Sequence, residues 1–248
     1  MGAHANERGV VTVAGETDTK AQAVIQAIVN ADVIAQQHMP GTAGPPPVIT
    51  LSRDFGAGGN TIASLLAARL GVEVYDREIL DEISKESKVD SELMAQLDEK
   101  VRADKTSAWI RSIFTNNTAF PASYRHHLVN VVLGICNTGG IIMGRGGHII
   151  LAARHAFRVR IVGSEERCAE RIAERDGISI EDARAKIGSV NRERDDFLWK
   201  MFHRRVSDAS LFDMIINTDR FQSLESVADL LWLAMQQSEH GVHQSDNN

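Results

Sequence analysis

Residues 48–70 read VITLSRDFGAGGNTIASLLAARL, and no other stretch constrains the fold as strongly. Val48, Ile49, Thr50 and Leu51 are apolar or β-branched and predict a short strand. Gly56-Ala57-Gly58-Gly59 predicts a tight turn, after which Ile62, Leu65, Leu66 and Leu70 recur at helical spacing. In a strand–glycine turn–helix unit, consecutive backbone N–H groups turn inward at a helix N-terminus that carries partial positive charge. Such a turn suits an anion, and a phosphate is the obvious guest. The same glycines also fit a plain strand-to-helix turn, where they only relieve crowding. The usual phosphate loop, G-x-x-x-x-G-K-[ST], has a lysine that reaches the outer phosphates. Here Gly59 stands at the lysine position and Arg53 at that of the first glycine.

At 248 residues and 43% apolar content, the chain is long enough to bury a substantial core in one domain, with room for a smaller mobile lobe. A net charge of −6 argues against broad electrostatic binding to nucleic acid or to anionic membranes, while a local basic cleft stays open. Cys136 and Cys168 make neither a disulfide framework nor a metal cluster, so a reducing cytoplasm is the expected compartment. No basic segment followed by an apolar run opens the sequence, which predicts no signal peptide. The longest apolar region, 128–143, is interrupted by Asn130, Asn137, Gly139 and Gly140 and does not read as a membrane span.

Residues 1–47 read as an extension. Residues 21–37 place Ala23, Val24, Ile28, Val29 and Ile34 at helical spacing, and Gly41–Pro47 is a proline-rich linker. A peripheral helix is expected there. Residues 238–248 are polar and read as a disordered tail. Between these ends the pattern alternates. Strands are expected at 72–75, 140–143, 157–162 and 214–217, and helices at 76–85, 91–104, 128–136, 164–175, 179–190, 191–205 and 224–235. Strands alternating with helices imply a parallel sheet covered on both faces, with ligands at the carboxyl ends of the strands. Those ends carry the glycine turn, Asp76-Arg77 and Gly144-Arg145-Gly146-Gly147. Glycines and charges therefore converge on one edge, which favours a phosphate ligand over a plain turn.

The succession SRDFGAGGNTIA, VYDREI, IIMGRGGHIIL, ERCAERIAERDGIS and NRERDD resembles the cytidylate kinase-like proteins, a branch of the P-loop nucleoside monophosphate kinases, over about residues 48–236. The resemblance implies a P-loop NTPase three-layer α/β sandwich with a parallel sheet, a helical acceptor-binding insert and a lid at about 191–206. It implies ATP as phosphoryl donor with Mg²⁺, and small nucleotides as partners. Laid on the family's G-x-G-K-G-T, the donor loop comprises Gly56, Ala57, Gly58, Gly59, Asn60 and Thr61. Thr61 is then a candidate for Mg²⁺ or a terminal phosphate oxygen, unless it is an ordinary first-turn residue.

Phosphoryl transfer needs positive charge at the γ-phosphate oxygens. With the lysine replaced, Arg53 is the candidate substitute, followed by the lid arginines Arg192 and Arg194. Asp76 corresponds to the family's aspartate near the acceptor phosphate and metal; it equally suits a helix N-cap, and the two roles are compatible. Gly144-Arg145 resembles the family's D-G-R-D segment, whose arginine grips the acceptor's phosphate with a planar fork. Flanked by glycines, Arg145 is expected to have little packing to do. Met143 stands where the family has an aspartate. Arg192, Asp196, Lys200 and Arg204 form one helical stripe, readable as part of a closing lid or as an ion-pair ladder. Trp109, Trp199 and Trp232 are expected to pack internally.

The reading is an ATP-dependent kinase for a small phosphorylated acceptor, by analogy a nucleoside monophosphate such as CMP. The lost lysine and Met143 keep a second reading in play, a nucleotide-binding regulatory module without turnover. Acceptor choice would fall to 88–125, where the pattern says little.

Overall fold

The computed structural model describes residues 25–26, 47–84 and 120–238. Its strands are short apolar runs: β1 (Val48–Arg53), β2 (Val74–Tyr75), β3 (Gly140–Met143), β4 (Phe157–Val162) and β5 (Met214–Asn217). All pair in parallel, in the order β2-β3-β1-β4-β5. β1 lies at the centre, with Leu51 opposite Met143 on one side and Val159 on the other. Parallel strands covered on both faces read as continuous apolar runs, and three of the six β1 residues (Val48, Ile49 and Leu51), together with all of β3, are apolar or glycine and buried. The chain leaves β1 towards β2 and β3, then crosses to β4 and β5. The direction of winding thus reverses at β1, which opens a crevice at its carboxyl end.

Seven helices complete the described layers: α1 (Gly59–Leu70), α2 (Arg77–Ser84), α3 (Ala122–Thr138), α4 (Gly147–Ile150), α5 (Glu165–Asp176), α6 (Ile180–Phe202) and α7 (Leu224–Gln236). Side chains alternate along the strands, so the sheet divides the interior into two cores. Ile49, Leu51, Ile141 and Met143 join residues of α1, α5 and α7 on one face. Val48 and Ile142 join residues of α2, α3 and α4 on the other. α6 serves both, with Ala183 and Ile187 in the first core and Leu198, Met201 and Phe202 in the second. Its 23 residues span about 34 Å.

The expected α/β sandwich is the observed one, with several boundaries moved. The helices expected at 179–190 and 191–205 are a single helix, because neither glycine nor proline falls at the junction. α6 runs on until His203 takes a left-handed backbone (φ 53°) and donates its N–H to Trp199 O. β2 is only two residues long. The helix expected at 91–104 and the acceptor region at 88–119 lie outside the described residues. Trp199 departs from its expected packing role: it is 44% exposed, and Arg205 lies 4.5 Å above its ring. Trp232 does pack against the α1–α5–α7 core.

The N-terminal extension is tied to the domain. Ile25, not among the apolar positions picked out above, is helical and fully buried in the same core as Leu128, Val129 and Val132 of α3. Truncating a fully buried isoleucine typically costs about 2–5 kcal/mol. Ile25→Ala is therefore expected to lower the urea midpoint by a corresponding amount, a loss that a merely peripheral helix would not produce.

Candidate functional site

The carboxyl ends of β1 and β3 open into a cleft of about 960 Å³, bordered by the middle of α6. Ser52–Phe55, Asp76–Glu78 and Gly144–Gly146 line it, with Val190, Asn191, Arg194 and Phe197 of α6. Seven cationic side chains face five carboxylates in this lining, so the cleft reverses the sign of an acidic chain. An anionic ligand is the guest that such a field favours.

At the start of α1, Gly58 is the N-cap in a left-handed conformation (φ 82°), which only glycine adopts without strain. Helices α5, α6 and α7 are capped by Ser164, Ser179 and Ser223, and each has an acidic residue in its first turn. α1 has neither a side-chain cap nor a first-turn acid. Its first N–H groups lack intrahelical acceptors by geometry. The turn is braced on its other side. Arg171 Nη1 donates to Gly56 O at 3.3 Å, and the buried Thr218 hydroxyl donates to Ala57 O at 3.1 Å. Arg171 also binds the Thr218 hydroxyl and carbonyl oxygens.

The lysine position has a steric explanation. A Cβ at Gly59 would fall 2.7 Å from Arg53 Cδ and 2.8 Å from Arg53 Cβ. The stem of Arg53 thus occupies the space into which a residue-59 side chain would grow. Arg53 Nε donates to Asn60 Oδ1 at 2.8 Å, which ties the guanidinium to the first turn of α1. Arg194 reaches in from α6 and donates to Arg53 O at 3.1 Å, while Asn191 Oδ1 accepts the Phe55 N–H at 2.8 Å. One glycine and one arginine have exchanged the usual arrangement.

The cleft lining brings together Arg53, Asn60, Asp76, Arg145 and Arg194 of the candidate residues. Thr61 and Arg192 are exposed outside that lining. Arg192 lies back along its own helix, its Nη2 3.8 Å from where a Cβ on Gly188 would stand. Asp76 is an N-cap in fact: its Oδ1 accepts from the N–H groups of Glu78 and Ile79, both at 3.1 Å, and its Oδ2 takes no part in the cap. Arg145 has far more to contact than its glycine neighbours suggest. Its fork holds the carboxylate of Asp81, and Phe197 stacks beneath it. The expectation of little packing fails because α2 and α6 converge on the turn after β3.

A sequence profile described as the cytidylate kinase-like family matches residues 48–220. The chain belongs to that family. Among solved structures, an uncharacterized protein from Eubacterium ventriosum is similar at 18% identity and a TM-score of 0.63, over 78% of this chain and 99% of that one. At such identity it speaks to the fold alone. The shikimate kinase of Bacteroides thetaiotaomicron matches at 17% identity (TM-score 0.42, 77% of this chain and 98% of that one). That of Acinetobacter baumannii, in complex with shikimate, matches at 18% (TM-score 0.41, 78% and 95%). These two carry no further weight. No curated protein matches the sequence.

The cytidylate kinase-like cleft holds residues that sequence reasoning passed over. Arg160 of β4 pairs with Asp54 at 2.5 Å. His148 of α4, 1% exposed, meets Ser52 Oγ through Nδ1 at 3.2 Å and stacks on Phe212. Its Nε2 has no hydrogen-bond partner among the described residues. Burial, reinforced by Arg160 and Arg158, lowers its pKa to about 3. The spacing of His148 carried no metal signal, and its pairing with Ser52 spans 96 positions, so no local pattern announces it. Among the described residues no group of three or more His, Cys, Asp or Glu is placed to hold a metal ion.

A histidine kept neutral in the fold but protonatable when unfolded withdraws stability on acidification. The loss begins below the unfolded pKa near 6.5 and grows until about pH 3. At pH 5 it amounts to about 2 kcal/mol. Urea titrations at pH 7 and pH 5 should show this extra loss in the wild type and not in His148→Gln.

Proposed function

We propose that this protein transfers the terminal phosphoryl group of ATP to a small phosphate-bearing acceptor, a nucleoside monophosphate such as CMP. The single observation that carries the reading is Arg53, whose side chain fills the space above Gly59 and is tied to the uncapped start of α1. A cation therefore stands at the phosphate turn despite the missing lysine. Family membership supplies the reaction class.

In this reading the turn from Gly56 to Thr61 receives the donor phosphates on backbone N–H groups. An oxygen of the acceptor's phosphate attacks the γ-phosphorus in line, the bond to the β-bridging oxygen breaks, and ADP departs with that electron pair. Arg53 and Arg194 stabilise the charge that develops on the transferring group. Arg145 holds the acceptor's phosphate. Mg²⁺, when bound, would neutralise the donor phosphates. It commonly binds through one or two carboxylates and the phosphates themselves, and Asp76, with Oδ2 outside its cap, fits as such a ligand. Thr61 would join it only from the exposed flank of α1. The segment at 191–206 acts as the lid by bending of α6 within its span, and residues 48–237, with Ile25 docked on them, form the catalytic domain.

A second reading, a nucleotide-binding regulatory module, draws on Met143, which leaves the cleft floor without a carboxylate at that position. A coupled ADP-release assay across nucleoside monophosphates decides between the two. Mg²⁺-dependent turnover is expected with at least one of them, and a flat panel from folded, ATP-binding protein overturns the kinase reading.

The exchange of lysine for arginine has its own test. Arg53→Ala should lower kcat on the order of 10²-fold, as loss of one preorganised charge does, with ATP affinity little changed. Gly59→Lys in the wild type should fail, because its side chain meets the Arg53 stem. In the Arg53→Ala background that stem is gone, and Gly59→Lys should restore part of the turnover. Full activity of Arg53→Ala alone would refute the role.

A further inference from the structure

Arg145 meets the cleft with its fork already filled. Its Nε donates to Asp81 Oδ1 at 2.5 Å and its Nη2 to Asp81 Oδ2, so one carboxylate takes both prongs. Tyr124 of α3 donates its hydroxyl to the same Oδ1 at 2.9 Å. Phe197 of α6 lies 4.3 Å below the guanidinium carbon. A carboxylate and a phosphate offer an arginine the same edge, two oxygens in the plane of the fork, so a fork that fits one fits the other.

Three observations favour exchange over a permanent clamp. Arg145 lines the cleft while Asp81 stands outside that lining, so an incoming anion meets the arginine first. The pair keeps 14% and 22% side-chain exposure, which leaves a path by which one oxyanion can replace another. The backbone of Arg145 is left-handed (φ 48°), between Gly144 at 78° and Gly146 at 73°. A non-glycine residue held in that region is strained, and such strain gathers where a side chain must be presented to a ligand. Removing one partner of a part-buried pair also leaves a charge that demands another, so Arg145 accepts release of Asp81 only against a new anion.

We propose that Asp81 is an internal stand-in for the acceptor's phosphate and sets the charge an acceptor must carry. A dianionic phosphate monoester outcompetes the single charge of Asp81 for the fork, whereas a neutral or singly charged acceptor does not. The inference rests on the reading of Arg145 as the acceptor's grip.

The test is calorimetric titration of Asp81→Asn with CMP, with inorganic phosphate as a base-free anion and cytidine as a phosphate-free control. The variant keeps the shape and an oxygen for Tyr124 but loses the charge. CMP affinity should rise roughly tenfold, a like-charge clash discounted for the pair's exposure. Inorganic phosphate should gain in the same direction, cytidine should gain nothing, and Arg145→Ala in the same background should erase the gain. Tyr124→Phe, which loosens Asp81 without changing any charge, should shift CMP binding the same way by a smaller factor. Unchanged or weaker CMP binding in a folded Asp81→Asn overturns the proposal. Should that variant not fold, the same result in Tyr124→Phe overturns it, as does failure of wild type and variant to bind either CMP or phosphate. The kinase reading fails separately, by tightened CMP binding with no ADP release from any acceptor.

Discussion

The contact on which this cleft depends is between the aliphatic stem of Arg53 and the bare α-carbon of Gly59. Two side chains cannot share that volume, so the identities of positions 53 and 59 are one decision. An arginine that leaves from the end of β1 can lie along the first turn of α1 only if nothing projects from residue 59. Once it lies there, Asn60 is the adjacent side chain that takes its Nε, and Arg194 is drawn onto the carbonyl behind it. A loop that looks incomplete as a motif is complete as a packing arrangement.

The surroundings keep that arrangement in place. Thr218, fully buried after β5, and Arg171 of α5 take up the carbonyl oxygens of Ala57 and Gly56, so the turn is held by two elements distant in sequence. Asp54 is paired with Arg160, a residue of the neighbouring strand β4. Charges around the cleft are thus mostly matched, yet the balance stays cationic. Pairing fixes the geometry of the side chains, and the small surplus leaves the field that an anion would find.

The sheet and its order of elements were legible because its strands leave short runs rich in apolar and β-branched residues between the helical stretches, as in GIIM, FRVRIV and MIIN. The candidates at strand ends were legible for a related reason: a glycine-flanked arginine is conspicuous. What the chain concealed was long-range. Asp81, Tyr124 and Phe197 meet Arg145 from three helices, and nothing in their spacing says that they converge. Ser52 and His148 form a buried pair only because α4 folds back over β1. The single helix from Ile180 to Phe202 was read as two because the charge density rises midway, whereas no proline interrupts the backbone and the one glycine in the span, Gly188, is accommodated within the helix.

That helix has a mechanical consequence. Its two ends are embedded in different cores, on opposite faces of the sheet, and its middle borders the cleft. A rod clamped at both ends does not swing free, so a lid built on it closes by bending. To lift its middle, the molecule must flex the rod or loosen an end from its core. Gly188, exposed inside the span, is the residue of lowest helical propensity there and the natural place for such flexing. The cleft's gateway and the two interiors therefore share one elastic element. A substitution deep in either core is expected to reach the mouth of the cleft through α6.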